Sequence, residues 1–288
     1  MGVSVAGCAG IPASWVVAPR EAKPAGPFPA VAAGERARLI AELYAHLRER
    51  PTDAVAYAHL GYLLDRQGRS HAARQAYERA LALDPAQADT RLHYARLLAG
   101  RGNTRAALRQ VQLSVRTDST QAEAHALHGR LLRDEGRNQD AIAAFERAWT
   151  AQPPSVAAGI ELADWDLANG RLDSAADRLR VCLIREPTNV VARRTLADVL
   201  ARQRKFADAI EHWQLLVGQG EGGAEAYYRL ADLYHVQGEP LRAQANLAAG
   251  RRIEPGHPDA ARIAQLLAAG PSRPTPPPPY RPLLVARE

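Results

Sequence analysis

Residues 57–85 read YAHLGYLLDRQGRSHAARQAYERALALDP, and the order of residues in this stretch decides the fold. Tyr57, Leu60, Gly61 and Leu64 recur at helical spacing, and so do Ala73, Tyr77 and Ala80. Gly68 lies between the two sets, where a residue able to adopt the left-handed conformation can end the first helix. Pro85 closes the second, because proline cannot continue the helical hydrogen-bond ladder. The expected element is a helix hairpin.

The hairpin repeats. Steps of 34 residues from Ala54 define six units, 54–87, 88–121, 122–155, 156–189, 190–223 and 224–257, without an insertion or deletion. The eighth position holds Gly61, Ala95, Gly129, Ala163, Ala197 and Ala231, and the twentieth holds Ala73, Ala107, Ala141, Ala175, Ala209 and Ala243. Alanine is one residue in five here, 58 of 288, so six in register arise by chance on the order of one time in ten thousand. Small residues at these columns let paired helices approach closely. The fifteenth position reads Gly68, Gly102, Gly136, Gly170, Arg204, Gly238, and the thirty-second reads Pro85, Ser119, Pro153, Pro187, Glu221, Pro255. One such hairpin cannot bury its apolar face alone, so neighbouring units must stack.

The pattern Tyr57-x-x-Leu60-Gly61-x-x-Leu64, followed by Ala73, Tyr77, Ala80 and Pro85, resembles the tetratricopeptide repeat, and the resemblance extends over residues 54–257. It implies an all-α, right-handed α-solenoid of six stacked helix-turn-helix units with flanking helices. Arg91 and Gly159 replace the first aromatic, Leu216 replaces a small residue, and Arg204 replaces the turn glycine. The hairpins are expected to survive these departures, with looser packing in the fourth and fifth units.

The flanks are readable too. Residues 1–34 form an N-terminal segment, rich in Ala, Pro and Gly from residue 9, that reads as a disordered linker. Residues 35–53 carry Leu39, Ile40, Leu43 and Leu47 and look like the second helix of an incomplete preceding unit. Residues 258–270 form a capping helix with Ile263, Leu266 and Leu267 on one side, and 271–288 is a proline-rich tail. Val5-Ala6-Gly7-Cys8 resembles a bacterial lipobox, which makes Cys8 a candidate lipid-attachment site tethering the array to a membrane; the alternative is an ordinary cysteine in a tail. A lipobox would place the chain in a bacterial cell envelope, and otherwise the expected location is cytoplasmic. Met1-Gly2-Val3-Ser4 supplies neither the positive charge nor the long apolar run of a signal peptide. The tail's Arg273-Pro-Thr-Pro276 and Pro277-Pro-Pro-Tyr280 formally match SH3 and WW ligands, as any proline run does, and read as an extended spacer.

Composition limits the remaining function classes. Aromatics are 6% and mean hydropathy is −0.31, with no apolar run near the roughly 18 residues of a membrane-spanning helix. Net charge is +6, yet no block of five like charges marks a nucleic-acid patch. Gly218-x-Gly220-x-x-Gly223 matches a dinucleotide fingerprint as a string, but follows a helix where a strand is required, and reads as an inter-repeat turn. His125 and His128 lie three apart, without a third metal ligand nearby in sequence, and read as structural. Cys182 occupies a small-residue column and reads as a buried packing thiol. No motif of catalysis is present, and no cofactor, metal or small-molecule substrate is expected.

What remains is a groove. The resemblance implies that the first helices of successive units line a concave face through positions 2, 5, 6, 9, 12 and 13. Position 9 reads Tyr62, Arg96, Arg130, Asp164, Asp198 and Asp232, and position 6 contributes His59 and His93. Arg133 extends the basic part, while Tyr228 and His235 add aromatic surface beside Asp232. The expected groove is aromatic and basic in the first three units and acidic in the last three, matched to a partner peptide or helix of opposite polarity. The family's carboxylate clamp needs Lys and Asn where Ala58, Tyr62 and His93 stand, so chaperone tails are not expected ligands. The expected function is a non-enzymatic protein-interaction scaffold, in analogy with envelope assembly proteins. An accessory subunit docking on a separate catalytic protein is the alternative. RNA binding is a third reading, opposed by the Asp column.

Overall fold

The computed structural model describes residues 32–269; Cys8 and the proline-rich tail lie outside the described residues. Among those residues there are fourteen α-helices and no strand. They fall into two compact bodies, divided after Pro153. The first holds α1 (Ala33–Glu49), α2 (Ala54–Arg66), α3 (Ser70–Leu83), α4 (Ala88–Gly100), α5 (Thr104–Thr117), α6 (Ala122–Asp134) and α7 (Asn138–Thr150). The second holds α8 (Val156–Ala168), α9 (Leu172–Arg185), α10 (Val190–Arg202), α11 (Phe206–Gly218), α12 (Gly223–Val236), α13 (Pro240–Ile253) and α14 (Pro258–Ala268).

Each helix pair is closed by one repeated device. The backbone N–H of Arg69 donates to the Leu64 carbonyl at 2.9 Å, and the same bond recurs from Asn103, Arg137, Arg171, Lys205 and Glu239 to Leu98, Leu132, Asp166, Leu200 and Tyr234. This bond satisfies a carbonyl orphaned by the helix end and requires a left-handed residue just before the donor. Gly68, Gly102, Gly136, Gly170 and Gly238 supply it with φ between 73° and 80°. Arg204 adopts the same conformation, φ 62°, at a cost of about 1–2 kcal/mol for a residue with a Cβ. The fifth hairpin therefore survives its missing glycine. Packing inside the fourth and fifth hairpins is sparser than in the others.

The paired helices meet by size complementarity. Gly61 lies under the Tyr77 ring and Gly129 under the Phe145 ring, both rings being buried. Elsewhere the same two positions hold Ala95 with Val111 and Ala163 with Leu179. In the sixth unit the arrangement is reversed: Gly250, on the second helix, makes room for Tyr228 on the first. Units are tied to one another by polar side chains at the fourth position. Arg91 donates to the Pro85 carbonyl (Nη2 2.9 Å), Arg193 to that of Pro187, and the His125 Nε2 lies 3.0 Å from that of Ser119. His125 is thus a strap across the preceding loop. Both ring nitrogens of His128 are buried without a hydrogen-bond partner. Cys182 is fully buried, its thiol facing the Val156 carbonyl, and burial pushes its pKa up to about 11, which leaves it unreactive.

The ends depart slightly from expectation. Helix α1 begins at Ala33, inside the segment assigned to the linker, and α12 begins at Gly223, one residue ahead of its unit, with Gly222 as its N-cap. Helix α14 packs Ala260 and Ile263 on the sixth hairpin and exposes Gln265 at the column where other units carry a small residue.

Candidate functional site

In the first body α2 touches α4 and α4 touches α6, so the first helices present a continuous face. On it the Tyr62 and His93 rings meet edge to face, 5.1 Å between centroids at 72°. Burial, reinforced by the neighbouring Arg96 cation, pulls the His93 pKa down to about 4, so this corner is uncharged at neutral pH. Arg96 Nη2 lies 2.5 Å from Oε2 of Glu123, which projects from the start of α6 and is 67% exposed. Arg133 stands 3.6 Å from its neighbour Asp134. Arg130 is exposed on α6 and has no hydrogen bond or ion pair with any described residue.

Two expected groove residues of this type are not surface at all. His59 is only 3% exposed and is a core residue. Tyr228 is fully buried: its ring stacks on His257 at 4.6 Å and its hydroxyl donates to the Glu254 carbonyl at 2.8 Å. The reason is the hole above Gly250, which draws an aromatic inward at a position held elsewhere by Ala58, Leu92 and Ala126. His235 remains half-buried on α12.

The acidic column of the second body is also not a bare acidic surface. Asp164 is half-buried on α8. Asp232 is gripped by both terminal nitrogens of Arg262, from α14, one contact being 3.1 Å. Burial nevertheless raises its pKa, outweighing the arginine. Asp198 faces Arg229 of α12 at 3.9 Å, and Arg194 of α10 reaches Glu225 at 2.9 Å. First-helix charges thus tie α10 to α12 and α12 to α14. A groove acidic over its last three units is corrected at Asp198 and Asp232, which are members of ion pairs between successive first helices.

Burial pushes the Asp198 carboxyl up to about 6, against the opposing pull of Arg229. Its folded-state pKa exceeds the ordinary value of 3.8, so its stabilising contribution is full below that value and is lost as pH rises through about 6. Asp198→Asn should therefore flatten the fall in stability between pH 4 and 7 and add about 2 kcal/mol at pH 8. Thermal melting of both proteins across that range checks this; parallel profiles would contradict it.

Sequence reasoning missed one charged cluster. Asp166, 2% exposed, occupies the eleventh position, where other units carry Leu64, Leu98, Leu132, Leu200 and Tyr234. Arg171 Nη2 and Arg178 Nε contact its two oxygens at 2.6 and 3.0 Å, and Arg171 also lies 3.9 Å over the Trp165 ring. The break in an otherwise apolar column was the available signal. Among the described residues no group of three His, Cys, Asp or Glu is placed to hold a metal ion.

Comparison with known proteins gives a consistent picture. Models of the tetratricopeptide repeat match residues 66–131, 132–184 and 194–261. No curated protein matches by sequence. Among solved structures, PilF of Pseudomonas aeruginosa is 20% identical with a TM-score of 0.64, over 76% of this chain and 98% of that one. YrrB, described as a tetratricopeptide protein with an unusual peptide-binding site, is 20% identical with a TM-score of 0.59, over 67% and 99%. PilW, a type IV pilus biogenesis factor, is 17% identical with a TM-score of 0.59, over 73% and 98%. At such identities the likeness is one of fold.

Proposed function

This chain belongs to the tetratricopeptide-repeat family, and on that premise we propose that it is a non-enzymatic scaffold that binds a protein partner on the first-helix face of its first body. The repeat fold is typical of protein–protein interaction scaffolds. The observation that carries the choice of face is the contrast between the two bodies. In the second body, Asp198, Glu225 and Asp232 are engaged with arginines of an adjacent first helix. In the first, Arg130 on α6 is exposed without an ion-pair partner among the described residues, on the same first-helix face as Arg96 of α4 and the Tyr62–His93 ring pair between α2 and α4. Charge left unpaired on a surface steers association and selects a partner, whereas charge already paired within the fold does neither.

The polarity expected of the partner changes accordingly. A segment with a negative end at α4 and α6 is retained; a basic end seated on α10 and α12 is not, because Asp198, Glu225 and Asp232 there already hold arginines. The fold likeness to PilF and PilW supports the scaffold reading and says nothing of a pilus.

The test is capture from an extract of the native organism on the immobilised full chain. Arg96→Glu with Arg130→Glu should lose the partner by about tenfold or more and weaken the salt dependence of its binding. Arg180→Glu with Arg185→Glu, on the exposed side of second helix α9, should leave capture intact. Undiminished capture by the α4/α6 double variant would overturn this assignment of the face.

A further inference from the structure

We propose that the α4–α6 face receives an acidic segment of the partner, one carboxylate displacing Glu123 from Arg96 and another reaching Arg130. This rests on the assignment of that face as the partner surface and adds the chemistry of the ligand.

Glu123 is the first argument. Its carboxylate reaches across from the next first helix to Arg96, 2.5 Å from Nη2, while its side chain stays 67% exposed. The Arg96 guanidinium, 38% exposed, is therefore already oriented toward a carboxylate arriving from the solvent side. Glu123 is an internal stand-in for such a group, and a pair this exposed is weak and readily exchanged. Arg130 is the second argument. It occupies on α6 the register position that Arg96 occupies on α4, 34 residues earlier, and it is exposed without an ion pair or hydrogen bond among the described residues.

Spacing narrows the ligand. Touching helices lie about 8–10 Å apart, and a polyproline-II segment advances about 3.1 Å per residue with three residues per turn. Acidic side chains three residues apart in such a segment share one face and would thus meet Arg96 and Arg130 in turn. Between Arg96 and α2 lies the Tyr62–His93 corner. His93 is faced by Arg96 on its own helix, by Glu123 of α6 and by Tyr62 of α2, and its depressed pKa keeps it neutral. That corner suits an apolar side chain flanking the acids rather than another carboxylate. Single-stranded nucleic acid fits less well: the two rings meet at 72° and are half-buried, so neither offers a flat open face to a base.

The experiment is fluorescence anisotropy on the full chain with a labelled peptide carrying Glu at every third position and Leu and Ala between. A peptide with Lys in place of Glu and a single-stranded RNA oligonucleotide serve as the other arms. The acidic peptide should bind, Glu123→Gln should tighten it about threefold or more, and Arg130→Glu should weaken it about tenfold, equivalent to 1.4 kcal/mol. Affinity should stay level between pH 5.5 and 8, since His93 does not titrate there. A tightening cannot arise from damaged folding, so Glu123→Gln is the decisive variant. Unchanged or weaker binding by Glu123→Gln, or equal binding of the Lys peptide or the RNA, would overturn the proposal. If the acidic peptide neither binds nor competes while capture still depends on Arg96 and Arg130, the ligand chemistry falls and the scaffold assignment stands.

Discussion

Replacing Asp166 with alanine is expected to remove about 3–5 kcal/mol of stability, read as a lower urea midpoint and melting temperature for the full chain. The carboxylate sits 2% exposed at a column of buried leucines, and its burial is offset by Arg171 at 2.6 Å and Arg178 at 3.0 Å. Removing it strips both guanidiniums of this carboxylate and opens a space where the neighbouring units carry a large apolar side chain. A second variant identifies the cause. Asp166→Leu with Arg178→Ala rebuilds the pair found at the same positions in the first unit, Leu64 and Ala76, and in the third, Leu132 and Ala144. Well-packed apolar replacement of a buried ion pair is commonly neutral or stabilising, so this double variant should recover most of the loss. A loss below about 0.5 kcal/mol for Asp166→Ala, the range of an ordinary surface change, would show that the cluster is not structural.

The second large effect is expected at Gly129. A Cβ there would lie 2.6 Å from Phe145 Cε1 and 2.7 Å from Cδ1, and the ring, 4% exposed, has nowhere to swing. Gly129→Ala gains about 1 kcal/mol of helix propensity but meets an overpacking penalty of about 1–3 kcal/mol. Gly129→Val forfeits part of the propensity gain and adds bulk, for a net loss of about 3 kcal/mol. Combining Gly129→Ala with Phe145→Leu recreates the Ala163 and Leu179 pair of the fourth unit, both fully buried. The double variant should therefore be less destabilised than the sum of its parts, by about 1 kcal/mol or more in a urea-denaturation cycle. Strict additivity would mean that the two positions do not share one hole.

These two sites show what the sequence carried and what it did not. The columns of Gly and Ala announced the hairpins, and the turn device at Gly68 and its equivalents was legible because one conformation permits so few residue types. Arg204 shows that the surrounding repeat overrides a local preference. The size pairing of Gly129 with Phe145 was present in the sequence but needed the knowledge that positions 8 and 24 face each other. Burial of Tyr228 depended on the same kind of information, a hole made by Gly250 on another helix.

The site was less legible for a related reason. Opposite charges that pair between successive first helices, Arg96 with Glu123, Arg194 with Glu225 and Asp232 with Arg262, are 27, 31 and 30 residues apart. That interval falls short of one 34-residue repeat, because a side chain reaches its partner one or two turns earlier on the next helix. Reading charge down a single column therefore counted Asp198 and Asp232 as open surface, although each faces an arginine from an offset column. His59 was misplaced by treating position 6 as uniformly exposed, although it is buried at His59, Leu127 and Thr195 and half-buried at His93, Glu161 and Arg229.

Hydrogen–deuterium exchange on the full chain, with and without the captured partner, tests the central claim most directly. Partner binding on the first-helix face should slow exchange in α4 and α6 and leave α3, α5 and α7 unchanged. Protection confined to α3, α5 and α7, with α4 and α6 unaffected, would contradict it.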